Sequence, residues 1–429
     1  MADTGIAAQP GVRLLPDFRA SPARWRFAKV LSDASRGLPM NPVHPSRFTP
    51  IREWMSPDTS QRLDRRELLR TSLLLGGIAA GSSGCHSSRL TPALSSADDA
   101  FLGELERTGC RYFVEAAHPE TGQVLDRRLA DGQPESRTVS SIAATGFGLS
   151  ALCIADVRGY APRETLRKQV IRTLAWLRHH QPQHEGFYYH FFHWGNGERM
   201  WKCELSSVDS ALLFCGVLHA RAHFDGDPLI QSLATSIVER ARWPWFLNGS
   251  ATFSMGWKPE SGFLASRWDH YCELMLIYLL GLGSGTHPLN PASWRAWTRP
   301  IRTYFGERFV WSPAPLFVHQ FSHAWFDFAG RRDDGVDWFE NSVAATRAHI
   351  KWSLDQRGRF ERWSEDLWGV TSSDSAKGYV GWGGPPDSGP LDGTIVPCAA
   401  AGSLPFLPTE CLRTLRFQRE KYGDKIWKR

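Results

Sequence analysis

The chain has no Cys-x-x-Cys pair, no Gly-x-Ser-x-Gly elbow and no His-Glu-x-x-His helix. The first absence weakens zinc-ribbon and thioredoxin-like readings. The second argues against a serine hydrolase, and the third against a zinc protease. Basic charge is also scarce where it would matter. Of the net +6, residues 1–70 account for five, with 12 Lys and Arg against 7 Asp and Glu. A body that is close to neutral leaves no electrostatic footprint for nucleic acid. The leading apolar run, residues 71–84, is about 14 residues long, short of the roughly 20 that a stable membrane-spanning helix needs.

What the chain has in quantity is tryptophan. Of its 19 Trp, only Trp25 and Trp54 precede Cys85. A large flat indole serves a core or the face of a pyranose equally well. Of the eight Cys, Cys153, Cys215 and Cys272 sit within apolar helical runs, where a buried free thiol is expected rather than a disulfide framework.

Four segments are distinguishable. Residues 1–54 are rich in Pro, Arg and Ser without periodicity, and read as a disordered leader or an upstream translation not normally made. Residues 55–85 look like a twin-arginine export signal: Asp64-Arg65-Arg66-Glu67-Leu68-Leu69-Arg70 precedes the apolar run, which ends at a candidate lipid-attachment residue, Cys85. The expected partners are then the twin-arginine export machinery and a lipid anchor, and the expected location is periplasmic or membrane-tethered. Residues 86–97 form a linker, and residues 98–429 a single body.

In that body, amphipathic stretches alternate with loops rich in Gly, Pro, Trp and Asp. Helices are expected over residues 98–117, 140–158, 163–180, 206–224, 228–242, 266–282, 292–304, 336–354 and 408–422, capped for example by Ser206 and by Asp227-Pro228. Period-two alternation is confined to short stretches such as residues 187–192. An all-α class with helices paired around a core, an α/α toroid, follows.

Residues 201–213, WKCELSSVDSALL, set Glu204 and Asp209 in a run of apolar helix formers. A carboxylate pair beside aromatic residues suits glycosidic-bond chemistry, in which one group protonates the leaving oxygen and another attacks or activates water. Glu204 stands just before a helix, where the dipole favours an ionised group; simple N-terminal capping is the alternative. Glu273 lies inside YCELMLIYLLGLG, where an unpaired carboxylate would have a raised pKa, as a general acid needs. A buried glutamate bonded to backbone or Arg is the alternative. Asp209 is read as a sugar ligand, an orienting group or a helix-surface residue. The Gly281–Gly285 run follows a helix rather than a strand and so fails as a dinucleotide loop.

Several blocks resemble the glucoamylase-like domain: SSIAATGFGLSALCIADVRGY, ELSSVDSALLFCGVLHARAHFD, LGLGSGTHPLNPASWRAW, PLFVHQFSHAWFDFAGRRD, DWFENS, LWGVTSSD and LDGTIVPCAAAGSLPFLP, in the family's order. That group includes endo-β-1,2-glucanases and the transglycosylating domain of cyclic β-1,2-glucan synthases. The resemblance implies an (α/α)6 toroid with a glucan-binding cleft, lacking the tail that normally closes it beyond Arg429. It implies a hydrolase using Glu204 and Glu273 on a β-glucan, most naturally β-1,2-linked, without a cofactor. A non-catalytic glucan-binding lipoprotein, an inactive truncated remnant and a β-glucan transglycosylase remain alternatives. Asp126-Arg127 resembles the family's early Asp-Arg pair. Asp374 and Asp392 are expected on loops, as sugar ligands or turn residues. His319 and His323 stand at i, i+4 without an evident third metal ligand; with Gln320, Trp325 and Asp327 they are read as sugar-binding rather than metal-binding.

Overall fold

The computed structural model describes residues 94–129, 136–313, 315–376, 378–386 and 389–426. The twin-arginine motif and Cys85 lie outside them. Among the described residues, ten α-helices carry the core: α1 Ser96–Glu115, α2 Ile142–Arg158, α3 Arg163–His179, α4 Ser207–His223, α5 Pro228–Val238, α6 Trp243–Leu247, α7 Met275–Leu282, α8 Trp338–Asp355, α9 Pro397–Ser403 and α10 Pro408–Ile426.

Local chemistry explains the helix ends. Ser95 and Asp98 form a reciprocal capping box at α1. Ser141, Ser206, Asp227 and Asp337 each accept backbone N–H bonds at the starts of α2, α4, α5 and α8. Gly159, at φ 66°, closes α2 in the left-handed conformation.

Burial separates two kinds of helix. α2 is buried on every side from Ile142 to Ala155, and α4 from Ser207 to Ala220. Outer α3 buries only a stripe, Leu166, Val170, Thr173, Leu174 and Leu177 among it. α2 packs on α1, α3 and α4, while α5 packs on α3 and α4. The α2–α4 crossing is backbone against backbone. A Cβ at Gly146 would meet the Leu212 carbonyl oxygen at 2.5 Å, and one at Gly216 would collide with the Gly146 carbonyl.

The helical class expected from the sequence describes the core, and short antiparallel ribbons are added at its edge. Val139–Ser141 pairs with Phe191–His193, Leu205–Ser206 with Gly256–Lys258, and Ser372–Ser375 with Gly378–Gly381. Three helix expectations need correction. Of residues 266–282 only Met275–Leu282 is helical, because Arg267–Trp268 forms a strand against Phe253–Ser254. Residues 292–304 divide into a 3-10 turn, Pro291–Arg295, and a strand, Ile301–Tyr304, which follows Pro300 and its restricted approach. The helix begun at Pro228 ends at Val238, ahead of a fresh start at Trp243-Pro244.

Nine of the sixteen described Trp after Cys85 are buried: Trp243, Trp268, Trp294, Trp297, Trp338, Trp352, Trp363, Trp368 and Trp382. Trp201, three residues before Glu204, is 66% exposed.

Candidate active site

Inner helices α2 and α4 begin side by side. The Ile142 N–H at the start of α2 donates to the His190 carbonyl at 3.2 Å, and the Tyr188 N–H donates to Ser210 Oγ of α4 at 3.0 Å. The segment 187–193, two short strands joined through Tyr189 and His190, is thereby fixed across both helix starts. Four carboxylates collect around it.

Glu204 immediately precedes the strand that leads into α4, and its carbonyl accepts the His190 N–H at 3.0 Å. Its side chain occupies room left by Gly256 on the paired strand, where a Cβ would stand 2.6 Å from Glu204 Cγ. His190 Nδ1 lies 2.9 Å from Glu204 Oε1. An ionised carboxylate only accepts, so the ring N–H donates. Burial would push the Glu204 carboxyl up. The His190 hydrogen bond and charge, with backbone donation and Lys258, outweigh burial and hold it below the usual range.

Asp209, in the first turn of α4, accepts Ser206 Oγ–H at 2.6 Å and stands 3.5 Å from His190 Nε2. Burial raises its pKa despite the opposing pull of His190 and Ser206, and the neighbouring charges of Glu204 and Asp126 add to the rise. Glu273 sits in the turn before α7 and is 4% exposed. Burial, reinforced by the charge of Asp209, pushes its pKa up to about 7. The sequence anticipated that shift from the apolar run around it.

Asp126 follows the same rule of placement by backbone: its N–H donates to the Val139 carbonyl at 3.0 Å. Arg127 Nε donates to Asp126 Oδ2 at 2.7 Å and Nη1 donates to Asp374 Oδ1 at 2.5 Å, so this arginine ties the first loop to the 372–381 ribbon. Tyr379 of that ribbon lies under the guanidinium, 5.9 Å from ring centroid to Cζ, and feels the charge of Glu273. The structure therefore brings Asp126, Arg127, Glu204, Asp209, Glu273 and Asp374 together.

The remaining predicted residues are bonded to other partners. His319 contacts the Tyr271 hydroxyl at 3.1 Å, and burial depresses its pKa to about 3. Gln320 donates to the Ala399 carbonyl and Ser403 Oγ of α9 at 3.0 and 2.8 Å. His323 Nε2 meets Ser342 Oγ at 2.9 Å, and Trp325 Nε1 donates to Ser150 Oγ at 2.9 Å. Asp327 and Asp392 are exposed and accept backbone bonds from Ala329 and Thr394, each as a turn residue does.

His190 and Tyr379 were missed by sequence reasoning. His190 falls in FYYHFFHW, and its only signal there was the short period-two alternation. Strand pairing, which spacing does not encode, delivers it to Glu204.

Residues 265–429 match the Glycoamylase family model ("Putative glucoamylase"). An exo β-1,2-glucooligosaccharide sophorohydrolase of Parabacteroides distasonis is 23% identical over 371 residues, 77% of this chain and 50% of that protein. The chain thus spans about half the length of this curated relative. A crystal structure of the same glucoamylase description from Bacteroides uniformis superposes with TM-score 0.70 at 25% identity, covering 79% of this chain and 84% of that one. The Chitinophaga pinensis endo-β-1,2-glucanase, in its sophorotriose and glucose complex, gives TM-score 0.69 at 23% identity over 78% and 84% of the two chains, a likeness of fold. The resemblance to the glucoamylase-like domain read from the sequence blocks is shown by these matches.

Proposed function

We propose that the chain is a glycoside hydrolase that cleaves a β-1,2-linked glucan on an (α/α)6 toroid, by a two-carboxylate mechanism. The observation that carries this reading is the divergence of two carboxyls in one buried cluster. Glu204 is held ionised beside His190, while Glu273 keeps its proton up to about pH 7. Such a split is what separates base from acid at a single working pH.

In this reading Glu273 donates its proton to the glycosidic oxygen as the bond from that oxygen to the anomeric carbon breaks. Glu204 supplies the electron pair, to the anomeric carbon or to the proton of an attacking water. One water is consumed per bond, leaving a new reducing end, and the proton returns to Glu273. Asp126, Arg127, Asp209 and Asp374 hold sugar hydroxyls around the reacting bond. No cofactor enters, because both proton transfer and attack come from carboxylates. The named activities of the relatives, both on β-1,2-glucans, support the linkage. We further propose export by the twin-arginine route with lipid attachment at Cys85.

The test is reducing-end release by the full chain on linear β-1,2-glucan, β-1,3-glucan and starch. Release from β-1,2-glucan, lost in Glu204→Gln and Glu273→Gln, supports the proposal. Redistribution of chain lengths without new reducing ends would make it a transglycosylase, and binding without either would make it a glucan-binding protein.

A further inference from the structure

Beside the two glutamates the cluster holds a histidine, set between Glu204 and Asp209. The His190 ring is 3% exposed. It stacks on Phe191 with centroids 3.8 Å apart and planes 17° from parallel, which fixes its orientation. Its two nitrogens face two carboxylates on different elements: Nδ1 at 2.9 Å from Glu204 Oε1, and Nε2 at 3.5 Å from Asp209 Oδ2. Nε2 is fully enclosed and makes no hydrogen bond of good geometry, and Asp126 Oδ1 nearby is likewise enclosed without a partner. A buried ring with an unspent donor beside an unspent acceptor is expensive unless charge compensates it.

We propose that His190 is the positioning residue of this active site: as an imidazolium it bridges Glu204 and Asp209, holding Glu204 ionised and aimed while tying its orientation to the start of α4. This rests on the hydrolase reading for its consequence in catalysis, but not for the charge state of the ring.

The charges around the ring agree. Burial disfavours the imidazolium, yet Asp209, Glu204 and Asp126 together outweigh it, so His190 titrates above its ordinary range. Arg127 is engaged by Asp126 and Asp374, and Lys258 faces Glu204, so neither cation neutralises all three carboxylates. Glu273 stays out of the bridge as a neutral acid that feels Asp209. Removing the imidazolium would therefore leave buried carboxylates to repel one another, and Glu204 would take up a proton at higher pH.

Two independent readouts test this. The first is long-range 15N–1H NMR of histidine-labelled full-length protein, with the His190 signal identified by its loss in His190→Asn. Both ring nitrogens should be protonated at pH 6.5 and above, with the midpoint falling in Glu204→Gln and in Asp209→Asn. A His190 that is neutral at pH 6 overturns the proposal whether or not the protein cleaves glucan. The second is kinetic. His190→Phe should lower kcat about 10- to 100-fold, the scale of a lost hydrogen bond to a charged group, with KM little changed and the acidic limb of kcat displaced to higher pH. His190→Asn, whose neutral amide can donate at the Nδ1 position, should recover part of the loss in kcat while keeping the displaced acidic limb; His190→Gln, which reaches toward Nε2, should recover less. An unmoved acidic limb in His190→Phe, or a parental acidic limb in His190→Asn, overturns the proposal. A protein without glucanase activity but with a protonated His190 keeps the bridge and removes only the proposed function.

Discussion

The stretch from Glu204 to Asp209 and the stretch from His319 to Asp327 looked alike in the sequence, each a cluster of polar groups among aromatic residues. In the structure they are opposites. Along the second stretch most polar side chains have a partner of their own, from Tyr271 for His319 to Ser342 for His323 and Ser150 for Trp325, while the Ser322 hydroxyl is enclosed without one. Around Glu204, partners are shared and contested. One imidazole serves two carboxylates, Asp126 and His190 keep enclosed atoms without hydrogen bonds, and Glu273 is raised by burial to about 7. Polar groups that satisfy one another are expected to hold the fold, whereas polar groups left in competition are poised to take a ligand or move a proton.

The hardest test of that contrast is removal of the carboxyls. Glu204→Gln and Glu273→Gln should each reduce kcat by about 10²- to 10⁴-fold on β-1,2-glucan, measured as reducing-end release. Full parental activity in both variants would dissolve the distinction between the two stretches.

Glu273 also has a stability signature. Its folded pKa of about 7 exceeds an ordinary 4.5, so the folded state keeps a proton that the unfolded state has released. Stability from this group is present below pH 4.5 and declines as pH rises through about 7. Glu273→Gln should therefore gain up to about 3 kcal/mol over the parent at pH 8 and nothing at pH 4, read by urea unfolding at both values. Activity should follow the same sign, with kcat/KM falling as pH rises through the Glu273 pKa.

Gly256→Ala comes next. The new methyl would press on Glu204 Cγ and Cβ and on the Leu205 carbonyl, so the displacement should cost up to about 10²-fold in kcat/KM together with a fall in Tm. Smaller again is Gln320→Ala, which breaks two bonds to α9 and should cost about 1–3 kcal/mol of stability with KM unchanged. A raised KM with unchanged Tm in that variant would return the second stretch to the binding surface.

Much of the helical frame was legible because α2 and α4 need apolar or small residues on every side, and their caps at Ser206 and Asp227 are local signals. The raised Glu273 carboxyl was legible for the same reason, since its neighbours in sequence are also its neighbours in space. What escaped is what only pairing creates. Arg267–Trp268 reads as helix until Phe253–Ser254 claims it, and His190 reads as one aromatic among several until its strand meets Glu204. The Arg127–Asp374 link spans most of the body, and no periodicity within either segment records it.

The crossing at Gly146 and Gly216 reaches further than packing. With no side chain between them at Gly146 and Gly216, α2 and α4 meet backbone to backbone, and both helix starts hold the short segment that carries His190. The gauge between the Asp126 side of the site and the Asp209 side is thus cut into the spine rather than left to the loops.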